Sequence, residues 1–527
     1  MKRSTALGPN GSRACPIVGI GASAGGLESF SLLLGSIPCD TGMAFVLVQH
    51  LDRSHPSLLT DALSRTTSMP VREIRNGMNV EANHVYVIPP NGTIGVKEGV
   101  LSLSSRSRDP HKPHMSIDLF FEALAADLGP RGVGVVLSGT GSDGTRGLAA
   151  IKAAEGVTLA QEPSTAKFGG MPESAVAAGV VDVCLPIPQL AQEIARLAGA
   201  SELVPDEPWP QGEEVDPDVL NKVLVLVRNA AGVDYREYKE TTIKRRLARR
   251  MAMHRVDSVV GYLALLESDP LEVRALCEDV LIHVTSFFRG PDVFQALKEQ
   301  VFPALVANKA SGSPVRMWVA GCSTGEETYS LAMAFLEYVE ETRQVCALQM
   351  FGSDVSEHAI SRARAGVYGD GAVANMSPER LRRFFAKTEN GVRISKHVRD
   401  CCIFVRHDVA RDPPFSKLDL VSCRNVLIYF NQTLQRQVLG LLHYALNPGG
   451  YLVLGGMESV SSQPQLFHVV DGVSKIYSRA SVATTIHVPR SSFENGGSRA
   501  TSWRTKMQQS RTCLLIRTPF SVFAKKR

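Results

Sequence analysis

Three side chains suited to nucleophilic catalysis follow three separate apolar segments early in the chain. Ser23 lies in Gly21-Ala-Ser-Ala-Gly25, a G-x-S-x-G pattern whose small residues allow a sharp turn from a strand into a helix. His50 ends the apolar run FVLVQH, and Asp143 follows the run GVGVVLSGTG. Because the carboxyl ends of parallel strands share one edge of a sheet, these positions predict a serine nucleophile, a histidine base and an orienting carboxylate.

Two other interpretations of the serine turn remain open on the residues alone. The segment GIGASA fits the G-x-G-x-x-A fingerprint of dinucleotide sites, although the next apolar run ends in Gln49-His50 rather than in an acid that holds a ribose. The glycines are also compatible with a tight structural turn, His50 with a partly buried histidine and Asp143 with a helix N-cap. The coincidence of three catalytic residue types at three strand ends favours the nucleophile.

A second succession of strand, turn and helix occurs in VRMWVAGCSTGEETYSLAM. Its small residues let the backbone approach a ligand closely, and Glu326 or Glu327 can accept hydrogen bonds from a cationic amino-acid group. Asp354 ends the next apolar run, where a carboxylate can hold two ribose hydroxyls. These residues indicate a nucleoside site, and a plain βαβ unit with solvent-facing acids is the alternative.

The elements that must position these residues fall into three regions. Residues 15–198 and the chain from 314 onward alternate short apolar runs with helical patterns, which predicts parallel, doubly wound sheets. Residues 218–300 contain few glycines and no strand candidates, so we expect a small helical module there. The predicted fold class is therefore α/β, with two doubly wound parallel-sheet domains and a small all-helical module between them.

Composition and charge exclude several classes of protein. The 527 residues are 44% hydrophobic and 21% charged, as in ordinary globular domains, and no apolar run is long enough to form a membrane helix. The net charge of +5 arises in residues 487–527, which hold nine Lys or Arg and one Glu. The rest of the chain is therefore not basic, and the charge does not support broad binding of nucleic acid. The expected segments are a first α/β domain (14–198), a linker (199–217), the helical module (218–300), a second α/β domain (301–480) and a basic, disordered tail (483–527).

The motifs of the first domain resemble a known enzyme family. GIGASAGGLE, LVQHL, VYVIPPN, MSIDLFFEALA, VVLSGTGSDGTRGL and FGGMPESAVAAG follow the order and spacing of the chemotaxis protein-glutamate methylesterase family, CheB, over about residues 14–198. The resemblance implies that Ser23, His50 and Asp143 form a catalytic triad that hydrolyses methylated glutamate side chains of a chemoreceptor. Ala24 stands where the family often has threonine.

The remaining motifs resemble a second family. HVTSFFRG, AGCSTGEETYSLAM, FGSDVSEHAI, AGVYG, HDVARDPPF and LVSCRNVLIYF are similar to the chemotaxis protein-glutamate O-methyltransferase family, CheR, over about residues 216–480. The resemblance implies that the cofactor is S-adenosylmethionine. The implied cofactor-binding residues are His283, Thr285, Arg289, Glu326, Asp354, Asp408, Val409, Arg424 and Asn425.

The same resemblance implies roles around the acceptor. Arg289 is expected to contact both the cofactor and an anionic glutamate, and Tyr429 to lie near the transferred methyl group, so both are candidate catalytic residues. His283 replaces the asparagine that is usual in the family, which can weaken that contact or make it pH-sensitive. Residues 367–407 are expected to contain the small β insertion by which some relatives bind a receptor tail peptide.

The two resemblances together imply one cytoplasmic chain with two opposed activities. It would hydrolyse glutamate methyl esters and methylate glutamate carboxylates on the acidic methylation helices of a chemoreceptor-type partner, without a metal, nucleic acid or membrane insertion. The alternatives are a signalling scaffold with decayed sites and an unrelated dinucleotide-dependent enzyme. Intact Ser23, His50, Asp143 and Asp354 argue against the scaffold, and the missing acid at the second strand end argues against the dinucleotide enzyme.

The helical module contains an arginine-rich segment, YKETTIKRRLARRMAMHR. Ile243, Leu247 and Met251 recur every four residues, so they form a stripe that should face the core of the module. The residues expected to project together into solvent are Arg245, Arg246, Arg249 and Arg250. Such a face would suit docking of acidic receptor helices, and a merely solvated charged face is the alternative.

Overall fold

The computed structural model describes residues 15–49, 59–90, 92–105, 115–200, 216–281, 285–309, 312–374, 376–388 and 391–482. The described residues form two compact units. The first unit draws on Met1–Asp234, Glu240–Val284 and Val367–Arg393, and the second unit on Tyr235–Lys239, Thr285–Gly366 and Ile394–Arg527. His50, His283, most of the expected linker and the expected tail lie outside the described residues.

A seven-stranded parallel sheet forms the centre of the first unit. The first ten strands of the chain are β1 (Ile17–Ala22), β2 (Ala44–Gln49), β3 (Val71–Glu73), β4 (Met78–Asn79), β5 (Val85–Val87), β6 (Gly92–Lys97), β7 (Val100–Ser105), β8 (Gly132–Val136), β9 (Val157–Gln161) and β10 (Val183–Leu185). The parallel sheet has the order β10-β9-β8-β1-β2-β5-β3, and β4, β7 and β6 form a small antiparallel sheet. The order reverses between β1 and β8, so the carboxyl ends of these two strands border a crevice.

Helices cover both faces of this sheet. They are α1 (Gly26–Ser36), α2 (Leu59–Leu63), α3 (Ser116–Leu128), α4 (Thr145–Ala153), α5 (Gly170–Ala177) and α6 (Ile187–Ala200). Phe30 of α1 and Leu190 of α6 belong to one apolar core, and Phe121 of α3 and Ile151 of α4 belong to another. Because both faces are covered, the central strands are buried throughout, which explains their continuous apolar runs.

Residues 216–281 form four helices, in agreement with the expected all-helical character of the module. They are α7 (Pro217–Ala231), α8 (Glu240–His254), α9 (Val259–Ser268) and α10 (Pro270–Val280). Side-chain caps define three of their N-termini, because Asp216, Ser258 and Asp269 each accept a hydrogen bond from a backbone N–H in the first turn.

The expectation that the arginines of α8 point into solvent is wrong. The apolar stripe of Ile243, Leu247 and Met251 is buried as predicted. The residues Arg246, Arg249 and Arg250, however, are only 2%, 8% and 6% exposed. Among the four arginines only Arg245 keeps a substantially exposed side chain. Burial is possible because carboxylates from other elements meet the guanidinium groups, as they must when a charge leaves water.

A second seven-stranded sheet forms the centre of the second unit. The remaining strands are β11 (Val315–Ala320), β12 (Leu348–Asp354), β13 (Val367–Tyr368), β14 (Phe385–Thr388), β15 (Gly391–Ile394), β16 (Cys402–Arg406), β17 (Leu418–Cys423), β18 (Leu446–Leu454), β19 (Phe467–Asp471) and β20 (Ile476–Arg479). The order is β16-β12-β11-β17-β18-β20-β19. The first five strands in this order are parallel, and β20 is antiparallel to both of its neighbours. The order reverses between β11 and β17, which places a second crevice at their carboxyl ends.

The other elements complete this unit, except that α15 and nearly all of a small sheet belong to the first unit. The helices are α11 (Pro291–Ala296), α12 (Phe302–Ala307), α13 (Glu326–Glu341), α14 (Glu357–Ala365), α15 (Pro378–Phe384), α16 (Lys396–Asp400) and α17 (Gln432–Ala445). A three-stranded sheet in the order β13-β15-β14 lies within the expected insertion. Within the described ranges, no helix is long and apolar enough to cross a membrane.

Candidate active sites

Ser23 lies in the turn that connects β1 to α1. Gly25 precedes α1 with φ 76°, a left-handed conformation that strains any residue with a Cβ atom. The Ser23 N–H donates to the carbonyl oxygen of Ser138 at 3.0 Å, which ties the turn to the segment after β8. A Cβ atom on Gly139 would lie 2.1 Å from the Sδ of Met171 and 3.0 Å from the Cβ of Ser23, so a side chain at residue 139 would crowd both α5 and the serine turn.

Asp143 is buried where the segment after β8 meets the start of α3. One carboxylate oxygen accepts a hydrogen bond from the Ile117 N–H at 3.1 Å, and the other accepts from the N–H groups of Asp118 and Gly144, both at 2.9 Å. Hydrogen bonds from separate elements fix the carboxylate in place, as an orienting residue requires. The structure therefore brings Ser23 and Asp143 to the crevice between β1 and β8, while His50 lies outside the described residues.

Asp118 is a second buried carboxylate at the same place, and the sequence analysis did not single it out. Its Oδ1 accepts hydrogen bonds from Gly144 N–H at 3.0 Å and Gly147 N–H at 2.8 Å. Burial, followed by the neighbouring charge of Asp143, raises the pKa of Asp118 to about 7, although Arg146 partly opposes the shift. Asp118 thus holds the turn that carries Asp143, and its own charge acts on that carboxylate.

The second crevice is bordered by the turn between β11 and α13. Gly321, Ser323 and Gly325 all have positive φ angles, and a Cβ atom on Gly321 would meet Val426 at 2.3 Å. The hydroxyl oxygen of Ser323 is buried and has no hydrogen-bond partner among the described residues. A compact turn with a buried hydroxyl that lacks a partner among the described residues suits a polar ligand such as a nucleoside.

Asp354 ends β12 beside this turn and is 9% exposed. Its two carboxylate oxygens accept hydrogen bonds from the backbone N–H groups of Ser323 at 2.9 Å and Ser356 at 3.0 Å. Each carboxylate oxygen has further lone pairs, so the same group can also accept from two ligand hydroxyls. Asp354 therefore lies at the strand end where a ribose-binding acid was predicted, and its role toward the ribose stays a prediction.

Glu326 and Glu327, the two candidates for an amino-group acceptor, have different surroundings. Glu326 is buried in the first turn of α13, accepts a hydrogen bond from the Thr324 hydroxyl at 2.6 Å, and has its pKa raised by burial. Glu327 instead pairs with Arg424, whose Nη1 donates to both carboxylate oxygens at 3.0 and 2.9 Å. Glu326 is therefore the residue available to a cationic ligand group. Such a group would stabilise the ionised form of the Glu326 carboxylate.

Arg424 connects the crevice to the segment 285–290. Its Nη2 donates to the carbonyl oxygen of Arg289 at 2.7 Å. The neighbouring Phe288 N–H donates to the Ser330 hydroxyl on α13 at 2.9 Å. These contacts hold Arg289 beside the second sheet, with Thr285 at the start of the same segment, whereas His283 lies outside the described residues.

The remaining candidates follow β16 and β17. Asp408 accepts a hydrogen bond from the Ala410 N–H at 2.9 Å, and burial raises its pKa. Val409 is buried in the core on this side of the sheet. Tyr429 lies in a short 3-10 helix after β17, and its carbonyl oxygen accepts from the Lys239 N–H at 2.8 Å.

Two residues near this crevice were missed by sequence reasoning. Tyr238 packs edge-on against Phe430 with 5.1 Å between ring centroids. Burial, followed by the charges of Asp408 and Asp354, raises the pKa of Tyr238 well above its ordinary value, so its hydroxyl stays protonated near these two acids. The segment YREYKETT offers no local signal for this position, because the contacts come from residues more than a hundred positions later.

Glu458, in the segment GGMESV, is the other missed residue. Its carboxylate accepts hydrogen bonds from the backbone N–H groups of Asn425 at 2.9 Å, Val426 at 2.8 Å, Leu427 at 2.7 Å and Gly455 at 2.6 Å. Asn425 itself has φ 61°, a left-handed conformation that is uncommon outside glycine. Glu458 therefore fixes the turn after β17, which carries the candidate residues Arg424 and Asn425, to the turn after β18.

Comparison with protein families assigns both halves of the chain. The CheB methylesterase model matches residues 18–194, the all-alpha domain of the CheR methyltransferase matches 218–281, and the S-adenosylmethionine-binding domain of the CheR methyltransferase matches 283–476. The predicted resemblances and the α/β fold class are confirmed, and S-adenosylmethionine is the cofactor of the second unit. The buried Ser323 hydroxyl and the Asp354 carboxylate fit its nucleoside.

Individual proteins are similar to different lengths of the chain. An uncharacterized 104.1 kDa protein of Rhodobacter capsulatus is 39% identical over 443 residues, which are 80% of this chain and 46% of that protein, so this chain spans about half the length of that relative. The chemotaxis protein methyltransferase 1 of Pseudomonas aeruginosa is 31% identical over 263 residues, 49% of this chain and 95% of that protein. The crystal structure of the Thermotoga maritima CheB methylesterase catalytic domain is 26% identical, with coverage of 35% of this chain and 98% of that chain and a TM-score of 0.33.

We expect Asp118→Asn to flatten the pH dependence of the stability of the first unit. Because the folded pKa is raised, the contribution of Asp118 to stability is fully present below about pH 4 and is lost as the pH rises through about 7. Asparagine keeps an oxygen acceptor for the N–H groups of Gly144 and Gly147 but does not titrate. Scanning calorimetry of the full chain between about pH 4 and about pH 8 measures the effect.

Asp61→Asn is the matched control, since it makes the same change at an exposed position on α2 of the same unit. The unfolding midpoint of this variant should fall with rising pH as it does in the parent protein. If the unfolding midpoint of the Asp118→Asn variant falls with pH as steeply as that of the parent protein, the raised pKa of Asp118 is contradicted.

Glu458→Gln should impair the S-adenosylmethionine site. An amide has one acceptor oxygen and no charge, so it cannot accept all four backbone hydrogen bonds, and each lost charge-assisted bond costs about 1.5–3 kcal/mol. We expect an S-adenosylmethionine affinity about 10–100-fold weaker in calorimetric titration, with the far-ultraviolet circular dichroism unchanged. Glu357→Gln, at an exposed ion pair on α14, is the control and should bind as the parent does. Unchanged binding in the Glu458 variant would show that it does not position the site.

Proposed function

Because the chain belongs to the chemotaxis protein methyltransferase family and carries a CheB methylesterase domain ahead of the methyltransferase part, we propose that it is a bifunctional enzyme of opposed activities. The first unit hydrolyses glutamate methyl esters, and the second unit transfers methyl groups to glutamate carboxylates. One observation carries the proposal: a single chain holds both a serine turn beside a buried Asp143 and a crevice with Asp354 beside the buried Glu326.

In the methylesterase reaction, Ser23 attacks the carbonyl carbon of a glutamate methyl ester. His50 takes the hydroxyl proton and passes it to the departing methanol, and a water molecule then hydrolyses the ester on Ser23 with His50 again as the base. The place of Ser23 at the N-terminus of α1 supports this role, because backbone N–H groups there can stabilise the oxyanion. The hydrogen bonds that fix Asp143 support its role as the group that orients His50.

In the methyltransferase reaction, S-adenosylmethionine supplies a sulfonium methyl group that is already activated. The protein must therefore bind the cofactor, align a glutamate carboxylate in line with the methyl group and exclude water. Asp354 binds the ribose hydroxyls and Glu326 the amino group. The other cofactor contacts are assigned to His283, Thr285, Arg289, Asp408, Val409, Arg424 and Asn425.

Arg289 and Tyr429 are the proposed catalytic residues around the acceptor. The guanidinium of Arg289 pairs with the carboxylate that attacks the methyl group, and Tyr429 lies near the transferred methyl. The hydrogen bond from Arg424 to the Arg289 carbonyl supports this placement, because it holds the 285–290 segment at the crevice. The proposed partner is a chemoreceptor-type protein with acidic methylation helices, since both reactions act on glutamate side chains.

Ser23→Ala should abolish ester hydrolysis and leave methyl transfer intact. The nucleophile belongs to the first unit and the cofactor crevice to the second, and loss of a triad member costs on the order of 10⁴ or more in rate. Methanol release from a methylated receptor fragment measures one activity, and transfer from labelled S-adenosylmethionine measures the other. Ser36→Ala, at an exposed position on α1, is the control and should keep both. Hydrolysis that persists in the Ser23 variant refutes the assignment.

Asp354→Ala should weaken S-adenosylmethionine binding by about 1–3 kcal/mol, because a charged acceptor is lost from the ribose hydroxyls. Isothermal titration calorimetry of the full chain measures the change. Asp400→Ala, at the exposed end of α16, serves as the control and should bind as the parent does. An unchanged affinity in the Asp354 variant would mean that another residue holds the ribose.

A further inference from the structure

The arginine-rich face of α8 lies against the methylesterase domain within the first unit. Arg249 pairs with Asp182, which immediately precedes β10, and its Nη2 donates to the carbonyl oxygen of Gly156 at 3.1 Å. Arg245 pairs with Glu155 at 2.9 Å. Arg246 donates to the carbonyl oxygen of Lys152 at 3.4 Å. The partners thus lie in the last turn of α4, in the turn between α4 and β9, and just before β10.

Four of these charges form a closed ring. Arg249 pairs with Asp182 and Asp279, and Lys152 pairs with the same two carboxylates at 3.1 and 3.5 Å. Lys152 and Asp182 belong to the methylesterase domain, whereas Arg249 and Asp279 belong to the helical module. Each cation therefore contacts one carboxylate from each side, and the ring as a whole is neutral.

Three members of the ring are buried, and the acceptor Asp182 is prearranged. The side chains of Arg249, Asp182 and Asp279 are 5%, 0% and 2% exposed, and that of Lys152 is 20% exposed. Burial acts to raise the pKa of Asp182, but the charges of Arg249 and Lys152 outweigh it, so the pKa lies below its ordinary value. The backbone N–H and the hydroxyl of Thr158 also donate to Asp182 at 2.9 and 2.8 Å, so the domain's own structure orients this acceptor.

A second contact joins later residues to the same domain. The Gly371 N–H donates to the hydroxyl of Ser142 at 3.2 Å, and the Gly371 carbonyl accepts from Arg146 at 3.5 Å. A Cβ atom on Gly369 would lie 2.9 Å from the same Ser142 hydroxyl. The methylesterase domain is thus contacted both by α8 and by a segment of the small insertion.

We propose that the arginine face of α8 is the docking surface for the methylesterase domain of the same chain, and that acidic receptor helices do not bind there. The observation that carries this inference is the buried, neutral ring that both partners complete. A carboxylate from a receptor could reach Arg249 only by displacing Asp182, which would leave that buried acid with Lys152 but without the Arg249 guanidinium, an unfavourable exchange. The docking of the methylesterase domain does not depend on either catalytic activity, whereas the exclusion of receptor helices rests on the proposed function.

The test uses the full chain with one peptide bond cut. A protease site inserted into residues 201–215, which connect the two domains, allows cleavage after folding. We expect the two halves of the cut protein to sediment together in analytical ultracentrifugation. Halves that separate at micromolar concentration would overturn the proposal, since nothing but the docked surfaces then holds them together.

Two variants identify the ring as the cause. Arg249→Met leaves Asp182 and Asp279 facing Lys152, with Arg250 3.9 Å from Asp279 as a further cation. Asp182→Asn leaves the two cations Arg249 and Lys152 facing Asp279. Each should raise the dissociation constant of the cut halves at least about 100-fold, because an uncompensated charge remains buried. The double variant keeps Lys152 and Asp279 as a balanced pair. The factor by which its dissociation constant rises should therefore be clearly smaller than the product of the factors of the two single variants.

Arg274→Glu is the matched control, because Arg274 lies on α10 of the same module but is exposed. It changes the charge of the module more than Arg249→Met does, and it should leave the dissociation constant unchanged. A similar rise of the dissociation constant in this control would contradict the role of the ring. So would a rise in the double variant that equals the product of the rises in the two single variants.

Competition tests the second part of the proposal. A chemoreceptor cytoplasmic fragment with unmethylated glutamates is added to the cut parent protein. We expect no release of the halves at fragment concentrations that saturate methylation. Release of the halves would show that acidic helices bind the arginine face, which overturns the claim of exclusive docking.

Discussion

Both crevices depend on one constraint: a parallel strand must turn into a helix within a few residues at the carboxyl edge of its sheet. Gly25 and Gly325 each precede their helix with φ angles of 76° and 100°, a conformation that a side chain would strain. In both turns a serine lies two residues before this glycine, so Ser23 and Ser323 occupy equivalent positions at a helix N-terminus. The turn supplies N–H groups and a hydroxyl in either case, and the neighbouring side chains decide which chemistry follows.

Buried carboxylates then fix these turns to one another. Asp143 joins its own turn to the start of α3, Asp354 joins β12 to the turn after β11, and Glu458 joins the turns after β17 and β18. Each accepts N–H groups that a short turn cannot satisfy within itself. A carboxylate accepts several hydrogen bonds at defined angles, so it sets the distance between two turns more strictly than apolar packing does. Such prearrangement is what a site needs when its catalytic groups must be held before the substrate arrives.

The sequence supported prediction wherever the information was local. Apolar runs that end in a chemical side chain located β1, β8, β11 and β12, and with them Ser23, Asp143 and Asp354. The antiparallel strands β19 and β20 were missed, because short, half-exposed strands have no strong apolar run. Glu458 was missed for a different reason. Its hydrogen bonds reach residues about thirty positions earlier, and nothing in GGMESV distinguishes a carboxylate that binds backbone N–H groups from one in solvent.

The arginines of α8 show where a periodicity argument stops. The spacing of Ile243 and Leu247 correctly identified one buried stripe, but the pattern carries no information about what covers the opposite side of a helix. An arginine there stays in water unless acids elsewhere in the chain can neutralise it, and Arg249 meets Asp182 across 67 positions. Whether a charged face of a helix is exposed or buried therefore depends on where the acidic residues of the whole chain lie. In a chain that fuses two domains, the second domain can supply them, so a surface that would face solvent in one domain alone becomes an interior between two.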